Sequence, residues 1–303
     1  MSKVSDTLKN IFWVLLIIQF AVPVFKGLKK QWSDHVEPKN KVGMIVMSSV
    51  ITSSARYNKQ LKEFFKDNEI KAILIKMDCP GGAAGSTQAI CQEIINLKKQ
   101  YPKPIVSYSE NLCASGAYQV AANTDYIVAS GSSLVGSIGA KLGTQMRFKK
   151  LLDAYNVETV DISSGSYKNS CDPLAEITKQ QKDMLQQLTD DCYEQFVADI
   201  VRCRHLSVDQ KDVWANGKIF TGHQAFGLKL IDEIGNQTTA LDYIKKQILH
   251  SDREIELIKK AQPSILQKIM HSDDESDDEL GCNVSTSIWG SLFSFLQKQS
   301  VSF

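Results

Sequence analysis

Apolar and polar residues alternate along the chain in blocks whose period switches from strand-like to helix-like and back. Residues 42–50 form an apolar, β-branched run, and residues 54–67 have a polar helical composition. Ala72-Ile73-Leu74-Ile75 is a short apolar run leading to Pro80-Gly81-Gly82, as expected of a buried parallel strand that ends in a turn. Ile90, Ile94 and Leu97 then recur at helical spacing. Ile105-Val106 opens a further strand, the segment after Ser115 reads as helix, and residues 126–129 read as strand again. Residues 157–162 predict one more strand. This alternation predicts an α/β fold with a mainly parallel sheet and flanking helices. Residues 178–204 read as one long helix. Thr178 and Gln181 fit a capping box at its start, and Leu185, Leu188, Cys192, Phe196 and Ile200 share an apolar stripe whose plain reading is core packing.

The two ends depart from this pattern. Residues 11–25, IFWVLLIIQFAVPVF, are uncharged and almost wholly apolar. The run is shorter than the roughly 20 residues that span a bilayer, but flanking lysines can snorkel and extend it. No small-residue cleavage pattern follows it, so the expectation is an uncleaved single-pass membrane anchor over residues 1–30. Lysines stand on both sides, and the positive-inside count leaves its orientation near a tie. Residues 31–40 read as a polar linker and residues 41–271 as the main domain. Residues 272–303 read as an acidic linker followed by an amphipathic tail through Ile288, Trp289, Leu292, Phe293, Phe295 and Leu296.

Composition narrows the classes. With 303 residues the chain can bury a sizeable core, and a net charge of +1 gives no reason to expect nucleic acid as a partner. The seven cysteines show neither metal-ligand spacing nor a disulfide framework; they read mostly as small buried hydrophobes and favour a reducing compartment. No metal or cofactor is expected.

The candidate chemistry centres on Asn111-Leu112-Cys113-Ala114-Ser115-Gly116-Ala117-Tyr118. Ser115 lies between small residues that leave room for a large substrate, at the start of the predicted helix. There it is either a nucleophile, favoured by the helix N-terminus, or an N-cap serine. A serine needs a base to take its proton. No histidine sits in a triad context, which leaves Lys168, in the polar loop Ser164-Gly165-Ser166-Tyr167-Lys168-Asn169-Ser170, as the candidate base. A lysine serves only when neutral, which requires its environment to lower an ordinary pKa of about 10.4; the plain alternative is a surface lysine. Gly81 and Gly82 can turn backbone N–H groups into a crevice as oxyanion donors, or form only a turn. Ser137, in Gly136-Ser137-Ile138-Gly139, can hold the lysine amine, or be a turn serine.

Taken in order, Asp78-Cys79-Pro80-Gly81-Gly82, Ala114-Ser115-Gly116-Ala117-Tyr118, Leu134-Val135-Gly136-Ser137-Ile138-Gly139, Gly165-Ser166-Tyr167-Lys168 with Asp172-Pro173, and the later Gly217-Lys218-Ile219-Phe220-Thr221-Gly222 and residues 225–232 resemble the signal peptide peptidase A family. These are serine–lysine membrane peptidases of the Clp/crotonase superfamily, and the resemblance covers about residues 42–235. It implies Ser115 as nucleophile, Lys168 as general base, Gly82 as oxyanion donor with Gly81 in the same turn, and Ser137 as the group that positions the lysine. It also implies a Clp/crotonase-like fold, peptide substrates such as signal-peptide remnants, contact with membrane lipid through the anchor, and a catalytic domain outside the cytoplasm. In short members the serine and lysine of one site come from adjacent subunits of a homo-oligomeric ring. Two positions depart from the family pattern: Cys79 replaces a serine, and Ala117 replaces a glycine.

The leading expectation is therefore a membrane-anchored serine endopeptidase. Two alternatives share the framework. One is a crotonase-like acyl-CoA enzyme using the glycine donors on a thioester enolate. The other is a catalytically silent membrane scaffold that binds peptides through the same groove.

Overall fold

The β-branched runs pair side by side. In the computed structural model, which describes Trp13, Gln19, Ala21 and residues 39–259, the strands in chain order are β1 (Asn40–Met47), β2 (Ile70–Cys79), β3 (Ile105–Ala114), β4 (Tyr126–Ala129), β5 (Leu134–Gly136), β6 (Ile219–Thr221), β7 (Glu233–Ile234) and β8 (Ile255–Lys259). They form one sheet in the order β6-β5-β3-β2-β1-β8, with β4 joining β3 to β7. All pairings are parallel except β5 with β6. β3 forks: residues 106–109 pair with β4, and residues 112–114 pair with β5. The fork opens the sheet at the carboxyl ends of its strands, where parallel sheets place their ligand crevices.

Both sheet faces are covered, which is why the central strands read as continuous apolar runs. Ile73, Ile75 and Met77 of β2 join one core with Phe64, Phe65, Ile90 and Ile94. The alternate residues Ala72 and Leu74 join a second core with Val42, Met44, Val106, Tyr108, Val128, Ala240 and Ile244. The first core is roofed by α1 (Ala55–Lys66), α2 (Ala84–Gln100), α3 (Gly116–Ala122) and part of α5 (Lys179–Arg204). A short α4 (Lys149–Ala154) precedes α5. The chain returns through α6 (Lys211–Trp214), α7 (Gly222–Gly227) and α8 (Gln237–Tyr243), which continues into a π turn at Ile244–Ile248. α3 is fixed from below, since Tyr118 lies fully buried and its hydroxyl donates to the Leu230 carbonyl at 2.7 Å. Arg204 then grips Asp232 through two guanidinium nitrogens, 2.7 and 3.0 Å.

Three expectations need correction. Residues 157–162 form no strand: they run uncovered along the surface, and Ile162 is 94% exposed. The stripe on α5 is core only in its second half. Phe196, Val197 and Ile200 are buried and Gln119 of α3 donates to Asp199 at 2.8 Å, whereas Leu188 and Cys192 are exposed and Leu185 is half-buried. The helix thus extends beyond the body that buries its carboxyl-terminal half. Of the described cysteines, Cys79, Cys91 and Cys113 are buried, but Cys171 and Cys192 are exposed and Cys203 is intermediate. The Thr178–Gln181 capping box does form, reciprocally.

The proposed anchor, the linker and the tail lie almost entirely outside the described residues. Among those described, no helix is long and apolar enough to cross a membrane.

Candidate active site

Ser115 stands alone between β3 and α3, in the left-handed region with φ 53° and ψ −127°. A non-glycine residue held there carries about 1–3 kcal/mol of strain, which the surroundings must impose. The constraint is visible: its N–H donates to the Gly136 carbonyl at 2.7 Å, and its carbonyl accepts from Gln119 N–H at 3.0 Å. Its side chain makes no capping bond to α3. The N-cap alternative is therefore not realised, and the half-buried hydroxyl is left over on a sharp strand-to-helix turn, the placement that exposes a nucleophilic oxygen.

The turn after β2 lies against it. Gly81 has φ +97°, and a Cβ there would stand 2.8 Å from the Ser115 Cβ and 2.7 Å from the Gly116 nitrogen. Only glycine permits this approach. The two glycine amides are not equivalent. Gly81 N–H points back to the Cys79 sulfur at 3.4 Å, while the Cys79 thiol donates to the Ser49 carbonyl at 2.9 Å. Gly82 pairs edge-on with Ile51: Ile51 N–H donates to the Gly81 carbonyl at 2.9 Å, and Ala83 N–H donates to the Ile51 carbonyl at 2.8 Å. This pairing consumes neither the Gly82 N–H nor that of Gly116 at the start of α3, and both remain without a partner among the described residues. The first amides of a helix are unpaired by construction, so Gly116 is a donor the sequence offered only generically. Burial raises the Cys79 thiol above its ordinary pKa, partly opposed by the Gly81 amide. Burial likewise pushes up Cys113, which faces Cys79 across the β2–β3 pair.

Ser137 stands one residue beyond the Ala114–Gly136 pair, just as Ser115 does on the adjacent strand. It too has positive φ, 52°, and its N–H donates to the Lys218 carbonyl at 2.7 Å. Ser115, Gly81, Gly82 and Ser137 are thus carried by neighbouring strand ends. Lys168 is not joined to them. It lies exposed in a turn beyond α4, its N–H donates to the Gly165 carbonyl at 3.0 Å, and its ammonium has no hydrogen bond or ion pair among the described residues. In the segment that leads to it, Tyr155, Val160, Ile162 and Tyr167 are at least half exposed. Among the described residues no group of three or more His, Cys, Asp or Glu could hold a metal ion.

Residues 97–249 match peptidase family S49 over the segment that includes Ser115, Ser137 and Lys168. The chain belongs to that family, which is the signal peptide peptidase A family. Among its relatives, a protein named a putative protease in Methanocaldococcus jannaschii is 35% identical over 66% of this chain and 63% of its own length. Another of that name in Synechocystis sp. is 31% identical over 69% of this chain and 75% of its own. A putative signal peptide peptidase SppA of Enterococcus faecium is 29% identical over 62% and 54%. The chain therefore spans less than two thirds of the first and third of these relatives. The S49 match begins after Gly81 and Gly82, so the turn under Ser115 is read from geometry rather than from the matched segment.

Proposed function

We propose that the chain is a serine endopeptidase in which Ser115 and Lys168 form the reacting pair, supplied to one site by two copies of the chain. The observation that carries this reading is the state of Ser115: strained into a strand-to-helix turn, free of any capping bond, and set against the Gly81 turn, with the amides of Gly82 and Gly116 unpartnered among the described residues. A serine that only capped a helix would need none of these.

In this reading Ser115 Oγ attacks the scissile carbonyl carbon as its proton passes to the neutral Lys168 amine. The carbonyl oxygen gains the negative charge and accepts hydrogen bonds from Gly82 and Gly116. The C–N bond then breaks, the leaving amine takes the proton from Lys168, and water hydrolyses the acyl-serine by the reverse sequence of proton transfers. Gly81 holds the turn close to the serine, and Ser137 orients the lysine.

Two features support assembly. The Lys168 ammonium has no partner among the described residues, and the segment bearing it exposes large apolar side chains that a soluble monomer ordinarily covers. A homo-oligomeric ring that brings the Lys168 turn of one copy onto Ser115 of the next accounts for both. The apolar run at residues 11–25 supports a membrane anchor. Family membership, rather than the charge around that run, supports a catalytic domain outside the cytoplasm with membrane-derived peptides, such as signal-peptide remnants, as substrates.

The test uses a serine-reactive acylating probe and a peptide hydrolysis assay on the full chain. Ser115→Ala should abolish both signals, and Lys168→Ala should abolish hydrolysis while the fold is kept. Wild-type turnover in either variant would overturn the assignment.

A further inference from the structure

The turn that bears Lys168 has no helix or strand of its own, yet hydrogen bonds from outside fix it on both sides of the lysine. Gln181 Nε2 donates to the Ser166 carbonyl at 2.7 Å and to Asn169 Oδ1 at 2.9 Å. Arg147 Nη2 donates to the Ser170 carbonyl at 2.7 Å, and its Nη1 to the Asp172 carbonyl at 2.6 Å. Within the turn, Ser170 Oγ donates to the Tyr167 carbonyl at 2.7 Å.

Gln181 is also the third residue of the α5 capping box. Its Oε1 accepts the Thr178 N–H at 3.0 Å, and its own N–H donates to Thr178 Oγ1 at 3.2 Å. The cap uses only the acceptor half of the amide, and glutamate would serve it as well, with the helix dipole in its favour. The choice of glutamine is explained by the other half. The buried side chain, 5% exposed, spends its two N–H donors on the residues that flank Lys168. A long helix anchored in the core by Phe196, Val197 and Ile200 thereby reaches the lysine turn through one side chain.

We infer that Gln181, assisted by Arg147, is a positioning residue for the reaction: it transmits the placement of α5 to Lys168 and fixes the direction in which the amine is presented. The inference rests on the reading of Lys168 as the base. A base must stand within hydrogen-bond reach of the proton it takes, and displacement of a reacting group by about 1 Å costs on the order of a hundredfold in rate. An exposed turn without such a clamp would spend most of its time misdirected.

The experiment separates clamp from cap. Gln181→Glu keeps the capping acceptor but sets a carboxylate against the Ser166 carbonyl. It is expected to lower kcat at least about tenfold with KM changed less than about twofold, and with helix content and assembly intact. Asn169→Ala removes one of the two acceptors of the Gln181 amide while leaving both capping-box hydrogen bonds in place, and is expected to lower kcat about threefold. Thr178→Ala weakens only the cap and is expected to lower the thermal midpoint while leaving kcat within about twofold of wild type. If Gln181→Glu and Asn169→Ala turn over like wild type while Lys168→Ala is inactive, Gln181 is only a cap and the inference falls alone. If Thr178→Ala loses kcat as fully as Gln181→Glu, the effect is structural and the inference also falls. If Lys168→Ala is active, the base assignment fails and takes the inference with it.

Discussion

The amide of Ser115 donates to the carbonyl of Gly136 at 2.7 Å, so the residue at the end of β3 is registered by the adjacent strand rather than by the helix it precedes. The residue keeps a positive φ there, and its hydroxyl makes no capping bond to α3. The same strand pair sets Ser137 one step beyond Gly136, which keeps both serines at the open fork of the sheet.

The close approach of Gly81 makes it a sensitive probe of this arrangement. In Gly81→Ala the new methyl would meet Ser115 Cβ at 2.8 Å and the Ala114 carbonyl at 2.9 Å, at a backbone φ of +97° that disfavours alanine. Positive φ alone costs about 1–3 kcal/mol, and displacement of the turn would also move the Gly82 amide. Turnover is expected to fall about 100-fold or more, the scale of losing an oxyanion donor, while the thermal midpoint falls by only a few degrees. Peptide hydrolysis with near wild-type turnover would refute the contact.

Cys79 offers a gentler test of the same turn. Its thiol donates to the Ser49 carbonyl and accepts from Gly81 N–H. Cys79→Ser preserves both roles with a smaller atom and should hold kcat within about threefold of wild type. Cys79→Ala frees Gly81 N–H in a buried setting, at about 1–3 kcal/mol, and should reduce kcat about tenfold. Equal kcat in the alanine and serine variants would show that the thiol does not order the turn.

Much of this frame is legible in the sequence because it obeys local rules. Ile73, Ile75 and Met77 alternate with Ala72 and Leu74 between two cores, and this double burial makes the β2 run visible as a strand. Thr178 and Gln181 announce the helix start by their spacing, and Pro80-Gly81-Gly82 marks a turn. The rest depends on information that periodicity does not carry. Residues 157–162 have strand composition but no neighbouring strand among the described residues, and the Leu188 end of the α5 stripe is apolar but exposed. An apolar pattern reports that a face suits burial, not what will bury it. The functions of Cys79 and of the Gln181 amide are equally invisible, since each is defined by partners distant in sequence or by the half of a side chain that a motif leaves unused.

The buried thiols set a pH limit on the fold. Burial raises Cys79 and Cys113, so each stays protonated in the native state at a pH where the unfolded chain would ionise. A raised folded value means that this contribution to stability is complete below the unfolded thiol pKa of about 8.5 and is lost as pH climbs towards the folded values. The urea midpoint should therefore be flat in this respect below about pH 8 and decline above it, and the decline should shrink in Cys79→Ser. Native-state alkylation should spare Cys79 and Cys113 while they remain protonated and buried. A midpoint that rises with alkaline pH would contradict the direction of both shifts.

The exposed Lys168 leads to the sharpest prediction about assembly. If each site takes Ser115 from one copy and Lys168 from its neighbour, then Ser115→Ala and Lys168→Ala damage different halves of the site. Each variant alone should be inactive. Mixed at equal amounts and allowed to reassemble, a protomer with intact Ser115 meets a neighbour with intact Lys168 at about one quarter of the interfaces, so activity should return to about a quarter of the wild-type level. The double variant mixed with wild type supplies the control: its protomers contribute neither group, and activity per wild-type chain should fall as they dilute the wild-type contacts. Adding a charge to the uncovered apolar segment, as in Ile162→Glu, should weaken assembly and activity together, because a residue that is 94% exposed in one chain has no other burial to lose. Lys168→Arg should be inactive in every mixture in which it supplies the base, since a guanidinium stays protonated. If the mixed single variants remain silent while both assemble normally, the serine and lysine act within one chain and the exposed turn must fold back onto its own Ser115.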